Sequence, residues 1–295
     1  MRPPDVSVVV VNYNGREVLS DCVASYLAAC RRLKGEVLVV DNASSDGSAG
    51  TIPPEERVRL IESPVNRGYA GGANLGLAEA RGRFLVVSNH DIRVEEDSLE
   101  ALVDAFERHP RAGLVGPALV GPGGAPHGSV GSFPTLPSVV ARRVFEHVGI
   151  ERLCRDRPAY LRLFGEDRSP GGEGPVDQVS GALLCVRREA LDEVGPMDDG
   201  FFLFLEETDW CLRMRNAGWE VRLEPRARAS HLGSHSTGRL ADRAARFESS
   251  LVRYLAIHRG RSEALLFRLI SALVLTPLST PRRLYLHAKS RWNRN

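Results

Sequence analysis

Hydrophobic positions along this chain switch between two periods at regular intervals. Val6-Ser7-Val8-Val9-Val10-Val11 is a nearly continuous β-branched run, the pattern of a strand buried on both faces of a parallel sheet. Val18, Leu19, Cys22, Val23, Tyr26, Leu27 and Cys30 follow at three- and four-residue spacings, which predicts an amphipathic helix. Glu36 to Val40 reads as a second strand, Leu75 and Ala78 as part of a short helix, and Phe84 to Val87 as another buried strand. Leu99, Leu102, Val103 and Phe106 mark the next helix, and Leu114-Val115 begins a further short strand. Strand–helix alternation of this kind predicts an α/β fold with a doubly wound, mostly parallel sheet.

Between Gly121 and Pro175 the alternation dissolves. Two Gly/Pro clusters bracket a basic, weakly helical stretch around Arg142 to Phe164. A long irregular insertion of this sort reads as a lid or a binding loop. Regular structure returns at Val179 to Val186. A helix then opens at Glu206 and closes at Gly218, a favoured helix-ending residue, with Trp219–Leu223 and Ala227–His231 as two closing strands. From about Arg239 the chain reads as helical. The expected organisation is a catalytic domain over 1–238 and a helical extension over 239–295.

Charge sharpens that division. The whole chain carries a net charge of only +2, but residues 239–295 hold +9 and residues 1–238 hold −7. A basic tail on an acidic body is expected to meet phosphates, on lipid or on a partner; no nucleic-acid-binding motif accompanies it. The five cysteines, Cys22, Cys30, Cys154, Cys185 and Cys211, are odd in number and lack metal-ligand spacing, so a reducing compartment is the default expectation. Met1 to Asp5 runs directly into the first strand and leaves no room for a signal peptide. A cytoplasmic enzyme, peripheral at the inner membrane face, is the expected setting.

Four polar clusters stand at the ends of these elements, where open α/β sheets bind ligands. Asp41-Asn42-Ala43-Ser44-Ser45-Asp46-Gly47-Ser48 follows the second strand; it either offers carboxylate and amide groups to a base and ribose or simply makes an Asx turn. The small residues from Gly68 to Gly76 permit close backbone approach to a ligand, without the spacing of a dinucleotide fingerprint. Asn89-His90-Asp91 ends a buried strand, where Asp91 is either a cation ligand or a helix-capping residue. Glu206-Glu207-Thr208-Asp209 puts three carboxylates in one helical turn, where the helix dipole favours negative charge and where one of them is placed to act as a general base. His231 and His235, after the last strand, are candidate metal ligands or structural residues.

In this order the clusters resemble the inverting nucleotide-sugar glycosyltransferases of family 2, with the GT-A fold, in the branch that includes many bacterial rhamnosyltransferases. The match runs over roughly 5–238, from Val8-Val9-Val10-Val11-Asn12-Tyr13-Asn14-Gly15 and Asp41 to Ser48, through Asn66 to Gly76 and Val176 to Ala182, to Glu206–Arg213, Pro225 and His231–Ser236. Two residues depart from the family pattern: His90 stands where Pro is usual, and Glu207 where Asp is commonest.

The resemblance implies a GT-A type, Rossmann-like sheet flanked by helices, with a C-terminal helical appendage. It implies Asn12, Tyr13, Asn14, Asp41, Asn42, Ser44, Asp46, Asn66, Gly68, Asn74 and Asn89 as nucleotide-sugar-binding residues. Ser180, Gly181 and Ala182 fall on the acceptor side, Glu207 is the base with Glu206 and Asp209 beside it, and Asp91 and His231 hold a divalent metal, Mg²⁺ or Mn²⁺. The implied donor is a dTDP-, UDP- or GDP-linked sugar and the acceptor a glycan or a lipid-linked hydroxyl. Two other readings compete. A sugar-phosphate nucleotidyltransferase is expected to carry a Gly-rich basic loop after its first strand, and Asn12 to Arg16 is a poor one. A non-catalytic binding module has no need of Asp91, Glu207 and His231 together. The apolar run Leu265–Leu275 falls short of the roughly 20 residues that span a bilayer; with Arg282, Arg283, Lys289, Arg291 and Arg294 behind it, it suits either an anionic membrane surface or a packed contact, including one with a second copy of the chain.

Overall fold

The computed structural model describes residues 4–125, 127–148, 172–233 and 240–275. The chain forms two compact units, 1–133 with 166–247, and 134–165 with 248–295. The division therefore differs from a cut at 238, because the segment after Phe133 groups with the C-terminal helices. Stretches 149–171, 234–239 and 276–295, with Cys154, His235 and the basic residues Arg282, Arg283, Lys289, Arg291 and Arg294, lie outside the described residues.

The first unit is built on a sheet ordered β3-β2-β1-β4-β10-β6-β11-β5. Its strands are β1 (Val6–Asn12), β2 (Gly35–Asp41), β3 (Val58–Glu62), β4 (Phe84–Asn89), β5 (Ile92–Val94) and β6 (Ala112–Val120), then β10 (Leu183–Arg187) and β11 (Glu220–His231). Of three two-residue strands, β8 (Gly174–Pro175) pairs with β11, and β7 (Val130–Gly131) and β9 (Gln178–Val179) form a separate two-stranded sheet. β1, β2, β3 and β4 are parallel. β10 is inserted antiparallel between β4 and β6, and β11 runs parallel to β6 and antiparallel to β5. Every residue of β1 is buried, as expected of a strand covered on both faces. The fold is the mixed α/β arrangement of the GT-A type.

Three features differ from the sequence reading. The two closing strands are one strand, β11, whose register shifts between Glu224 and Arg228 around Pro225; proline cannot donate to a ladder, and the irregularity accommodates it. β3 was not legible because its residues alternate polar and apolar only weakly at a sheet edge. The glycine run opens the helix Gly68–Glu79, of which only the part around Leu75 and Ala78 is legible in the sequence. A Cβ at Gly76 would stand 2.3 Å from Val9 Cγ1 and 3.0 Å from Val40 Cγ2, so these glycines bring a helix onto β1 and β2. Gly68 itself adopts φ +74° with its Cα against the Phe202 carbonyl, where any side chain would collide at 2.1 Å.

Register then assembles the site. Asn12 is level with Asp41, Val11 with Asn89, Ser88 with Leu183 and Ile92 with His231. One end of the sheet thereby collects every polar cluster picked out from the sequence and described here. The helix Glu206–Asn216 delivers its first turn from the segment after Phe201, anchored by the fully buried Trp210, whose Nε1 donates to Gly195 O at 2.9 Å.

In the second unit, the helices Leu136–Val148 and Arg261–Ile270 pack together, and Leu136 N donates to the Glu263 carboxylate at 3.1 Å. The helix Leu240–His258 ends in this unit, and its Glu248 accepts from Ser271 Oγ. Ala264 and Phe267 of the helix Arg261–Ile270 are buried. Its other apolar side is not: Leu265, Leu266 and Leu269 are 57%, 49% and 49% exposed, and Leu273 just beyond is 73% exposed. No helix among the described residues is long and apolar enough to cross a membrane.

Candidate active site

Behind the site lies a latch of short polar side chains. Asn12 Nδ2 donates to Asp41 Oδ1 at 2.8 Å, Ser48 Oγ at 2.8 Å and Ser44 Oγ at 3.1 Å. Ser44 Oγ donates to Asp41 Oδ1 at 2.5 Å. Asn14, in the left-handed region at φ 54°, accepts from Ser45 N at 2.8 Å. Asp46 accepts from the backbone N–H groups of Arg16 and Ser48, both at 2.9 Å. Much of the polar capacity of these side chains is therefore spent on shaping two loops, and the groups they leave facing outward, Tyr13 above all, line the cleft. Asn42 bridges to Asn66 and to Gly68 O, at 3.2 and 2.8 Å. Asn74 sits further back, both accepting from and donating to the Met197 backbone.

The cleft they border measures about 270 Å³. Asn89, His90, Asp91, Tyr69, Phe202 and Arg246 are among the residues that line it. The Arg246 guanidinium lies 4.1 Å over the Phe202 ring, an arrangement that holds a cation in the cleft. Neither Tyr69 nor Arg246 was picked out from the sequence as a site residue; Arg246 lies in a helix whose periodicity alone marks no ligand.

Asp91 is buried, 3% exposed, in the turn between β4 and β5. Its backbone carbonyl accepts from Leu232 N at 3.1 Å, and this clamp together with the β5–β11 register brings His231 alongside. His231 Nε2 lies 3.3 Å from Asp91 Oδ1, within ion-pair reach, and neither atom has a further partner. Burial pushes the Asp91 carboxyl up, but His231 and then His90 outweigh it and hold it below the usual carboxylate value. Burial conversely pushes His90 down, toward neutral imidazole, with Nδ1 3.3 Å from the Val11 carbonyl.

On the other side stands the carboxylate pair. Phe204 and Leu205 both take left-handed backbone, φ 72° and 69°, an unusual conformation for side chains of that size that costs of order 1–3 kcal/mol each. The strained turn aims Glu206 and Glu207 from the helix start. Glu206 is 4% exposed; its Oε2 has no hydrogen-bond partner, and burial followed by repulsion from Glu207 pushes its carboxyl well above the usual range. Glu207, partly exposed, is also pushed up by burial, against hydrogen bonds to its ionised form. Two carboxyls so close do not both ionise readily. Glu206 is the more deeply buried of the two and the more strongly raised. Asp209, buried, accepts from Arg213 Nε at 2.8 Å in an i,i+4 pair, which turns it toward Val194 and Pro196, whose carbonyls the same guanidinium also binds.

The segment Ser180-Gly181-Ala182 joins the two sides. Ala182 O accepts from Asn89 N at 2.9 Å, and Ser180 N donates to Ser129 O at 2.9 Å. Gly181 lies against Glu207: a Cβ here would come within 3.2–3.3 Å of the glutamate's Cβ, Cγ and Cδ. Tyr69 Oη donates to Gly181 O at 2.6 Å, and its own hydroxyl is pushed up first by burial and then by Glu206, Glu207 and Asp91. Tyr69 therefore stands within the electrostatic reach of both the acidic pair and Asp91.

The family model for glycosyl transferase family 2 matches residues 7–193. The chain belongs to that family. The transferase is 32% identical over 244 residues to the N-acetylglucosaminyl-diphospho-decaprenol L-rhamnosyltransferase of Mycobacterium tuberculosis, a match covering 79% of this chain and 77% of that one. It is 25% identical to the low-salt glycan biosynthesis hexosyltransferase Agl10 of Haloferax volcanii, over 72% of this chain and 62% of the relative. Among solved structures, the transferase resembles the Pyrobaculum calidifontis mannosyltransferase PcManGT in complex with GDP-Man and Mn²⁺. There the TM-score is 0.58 at 18% identity, covering 97% of this chain and 81% of that one. A second likeness is GalNAc-T7 with UDP, GalNAc and Mn²⁺, with a TM-score of 0.55 at 14% identity over 94% of this chain and 58% of that one. These two structural likenesses bear on the fold. The transferase has the GT-A architecture that the sequence resemblance implied.

Proposed function

We propose that the transferase moves L-rhamnose, or a related deoxyhexose, from a nucleoside diphosphate to a hydroxyl of a polyprenyl-diphosphate-linked acceptor, with inversion. The observation that carries this reading is the Tyr69 hydroxyl, which binds the Gly181 carbonyl beside Glu207 and stands in the field of Asp91, in a chain 32% identical to a decaprenol-linked rhamnosyltransferase. Glu207 takes the proton of the acceptor hydroxyl as its oxygen forms a bond to the anomeric carbon. The bond from that carbon to the phosphate oxygen breaks on the opposite face, and the nucleoside diphosphate leaves with the electron pair. Tyr69, by holding the Gly181 carbonyl, keeps Glu207 against the acceptor wall. Arg246, in the same cleft, is placed to offset the charge of the leaving diphosphate.

Among the described residues, no group of three or more His, Cys, Asp or Glu forms a cation site. A hard divalent ion bound with a nucleotide needs no such group, because diphosphate oxygens and water complete its shell. Asp91 Oδ1 and His231 Nε2, buried, adjacent and without hydrogen-bond partners, fit two protein ligands of Mg²⁺ or Mn²⁺. Such an ion supplies electrostatic stabilisation of the leaving diphosphate.

The test is a thermal-shift screen of dTDP-, UDP- and GDP-sugars with Mn²⁺ or Mg²⁺, followed by transfer to a polyprenyl-diphosphate-linked N-acetylglucosamine. One donor is expected to raise the melting temperature, since a ligand of the folded state alone stabilises it, and the product anomer is expected to be inverted. Pyrophosphate-dependent release of a nucleoside triphosphate would replace this reading with nucleotidyl transfer.

An acceptor of that kind resides at a membrane. The exposed Leu265, Leu266, Leu269 and Leu273, with Arg268 and the basic residues 282–294 in sequence behind them, suit the interface of an anionic bilayer, where each basic group adds about 1 kcal/mol. The full chain is expected to float with anionic liposomes, less at high salt. Replacing the four leucines by glutamine is expected to abolish flotation while leaving transfer to a soluble acceptor analogue intact. Equal flotation of both proteins would retire the membrane role, and conversion of a dimer to a monomer by the same replacements would assign that face to a second copy instead.

A further inference from the structure

His127 has no role in the sequence reading, yet it touches the deepest part of the site. It lies in the loop after β6, and its N–H donates to Leu119 O at 3.0 Å, so the loop is tied to the strand. Its ring Nε2 is 3.1 Å from Nδ1 of His231. The two rings meet edge to face, 4.9 Å between centroids and 83° between planes. His231 thus has one nitrogen engaged by His127 and the other, Nε2, 3.3 Å from Asp91 Oδ1. That Nε2 and that Oδ1 are buried and lack hydrogen-bond partners.

Imidazole presents a lone pair to a cation only from its unprotonated nitrogen, and the hydrogen bond at the other nitrogen decides which one that is. A ring held only at Cβ can also turn over, exchanging a nitrogen for a carbon at the position facing Asp91. A hydrogen bond at Nδ1 opposes both changes. We propose that His127 is a positioning residue: its Nε2 accepts the Nδ1 proton of His231, which fixes the ring so that Nε2 offers its lone pair beside Asp91 Oδ1. The inference rests on the reading that Asp91 and His231 hold the divalent ion. It adds a residue from a different strand connection, one that no motif marks, as the support that makes a two-residue site adequate.

The support predicts a graded response. Partners that orient a ligating histidine are typically worth about 10–100-fold in metal affinity. Phenylalanine at 127 keeps a ring of similar bulk and removes the acceptor. Glutamine keeps an acceptor at nearly the reach of Nε2. Mn²⁺ is titrated into the full chain with UDP, GDP or dTDP present, following the free-ion signal by electron paramagnetic resonance. Melting temperature without metal is measured in parallel. His127→Phe is expected to weaken Mn²⁺ binding about 10–100-fold, and His127→Gln to return it to within a few-fold of the wild type. Metal-free melting temperatures should stay close together. If His127→Phe does not fold, His127→Asn, whose amide is too short to reach, takes its place. Unchanged Mn²⁺ affinity in His231→Ala would remove the metal reading itself and this inference with it. A large loss in His231→Ala, with none in His127→Phe, overturns the positioning role alone. Equal losses in His127→Phe and His127→Gln overturn it too, because they assign the effect to packing rather than to the acceptor.

Discussion

Replacing Glu207 by glutamine is expected to lower turnover by roughly a hundredfold or more, the usual scale for loss of a general base, while donor affinity changes little. Glutamine preserves the shape against Gly181 but cannot take a proton. The pH profile gives a second readout. Burial raises the Glu207 carboxyl, and a base works only when ionised, so wild-type activity should fall as pH drops through a value above the ordinary carboxylate range. Glu207→Gln should lose that acid limb. Glu206 behaves differently. Its folded-state value is raised well above the usual one, so its contribution to stability is full at acid pH and is lost as pH rises through that raised value. Glu206→Gln, neutral at every pH, should therefore be more stable than the wild type under alkaline conditions and little different under acid ones. Normal turnover in Glu207→Gln together with loss in Glu206→Gln would reverse the assignment within the pair.

Asp91→Ala is expected to reduce transfer on the order of a thousandfold, the scale on which transition-state charge stabilisation is lost when one preorganised group is removed. The fold should survive, because the Leu232–Asp91 backbone bond and the β5–β11 pairing do not involve the side chain. Circular dichroism and melting temperature measured beside the rate would show this. Excess chelator should silence the wild type to a similar degree and change the Asp91→Ala protein little. Full wild-type turnover in chelator would remove the divalent ion from the reaction.

Much of this molecule is legible locally. The continuous apolar runs Val6–Val11, Glu36–Val40 and Phe84–Val87 are all strands, because burial on both faces leaves no room for polar alternation. The helix opening at Glu206 and closing before Gly218 is found as read. The ordered polar clusters identify the family because their sequence order follows the chain through one sheet end. Edge elements escaped: β3 is half-exposed, so its pattern carries little signal, and the glycines from Gly68 onward carry no helix signal of their own because the helix they form is determined by what it packs against. Helix propensity penalises glycine, and only the closeness of Val9 and Val40 explains the run.

Site geometry is where local reading ends. That Asp91 meets His231, that His231 meets His127, and that Tyr69 ties Gly181 beside Glu207 all depend on pairings between distant segments. Those pairings follow from strand order, above all from β10 entering antiparallel between β4 and β6, which no periodicity encodes. The same holds for neighbouring carboxylates: Glu206, Glu207 and Asp209 are alike in sequence, and differ only through unequal burial and the company each keeps. The chain's own pattern thus determined its buried central strands, most of the first unit's helices and its family, since these depend on which residues avoid water. The tertiary structure alone decided which polar atoms stand side by side, because that depends on which distant segments are paired.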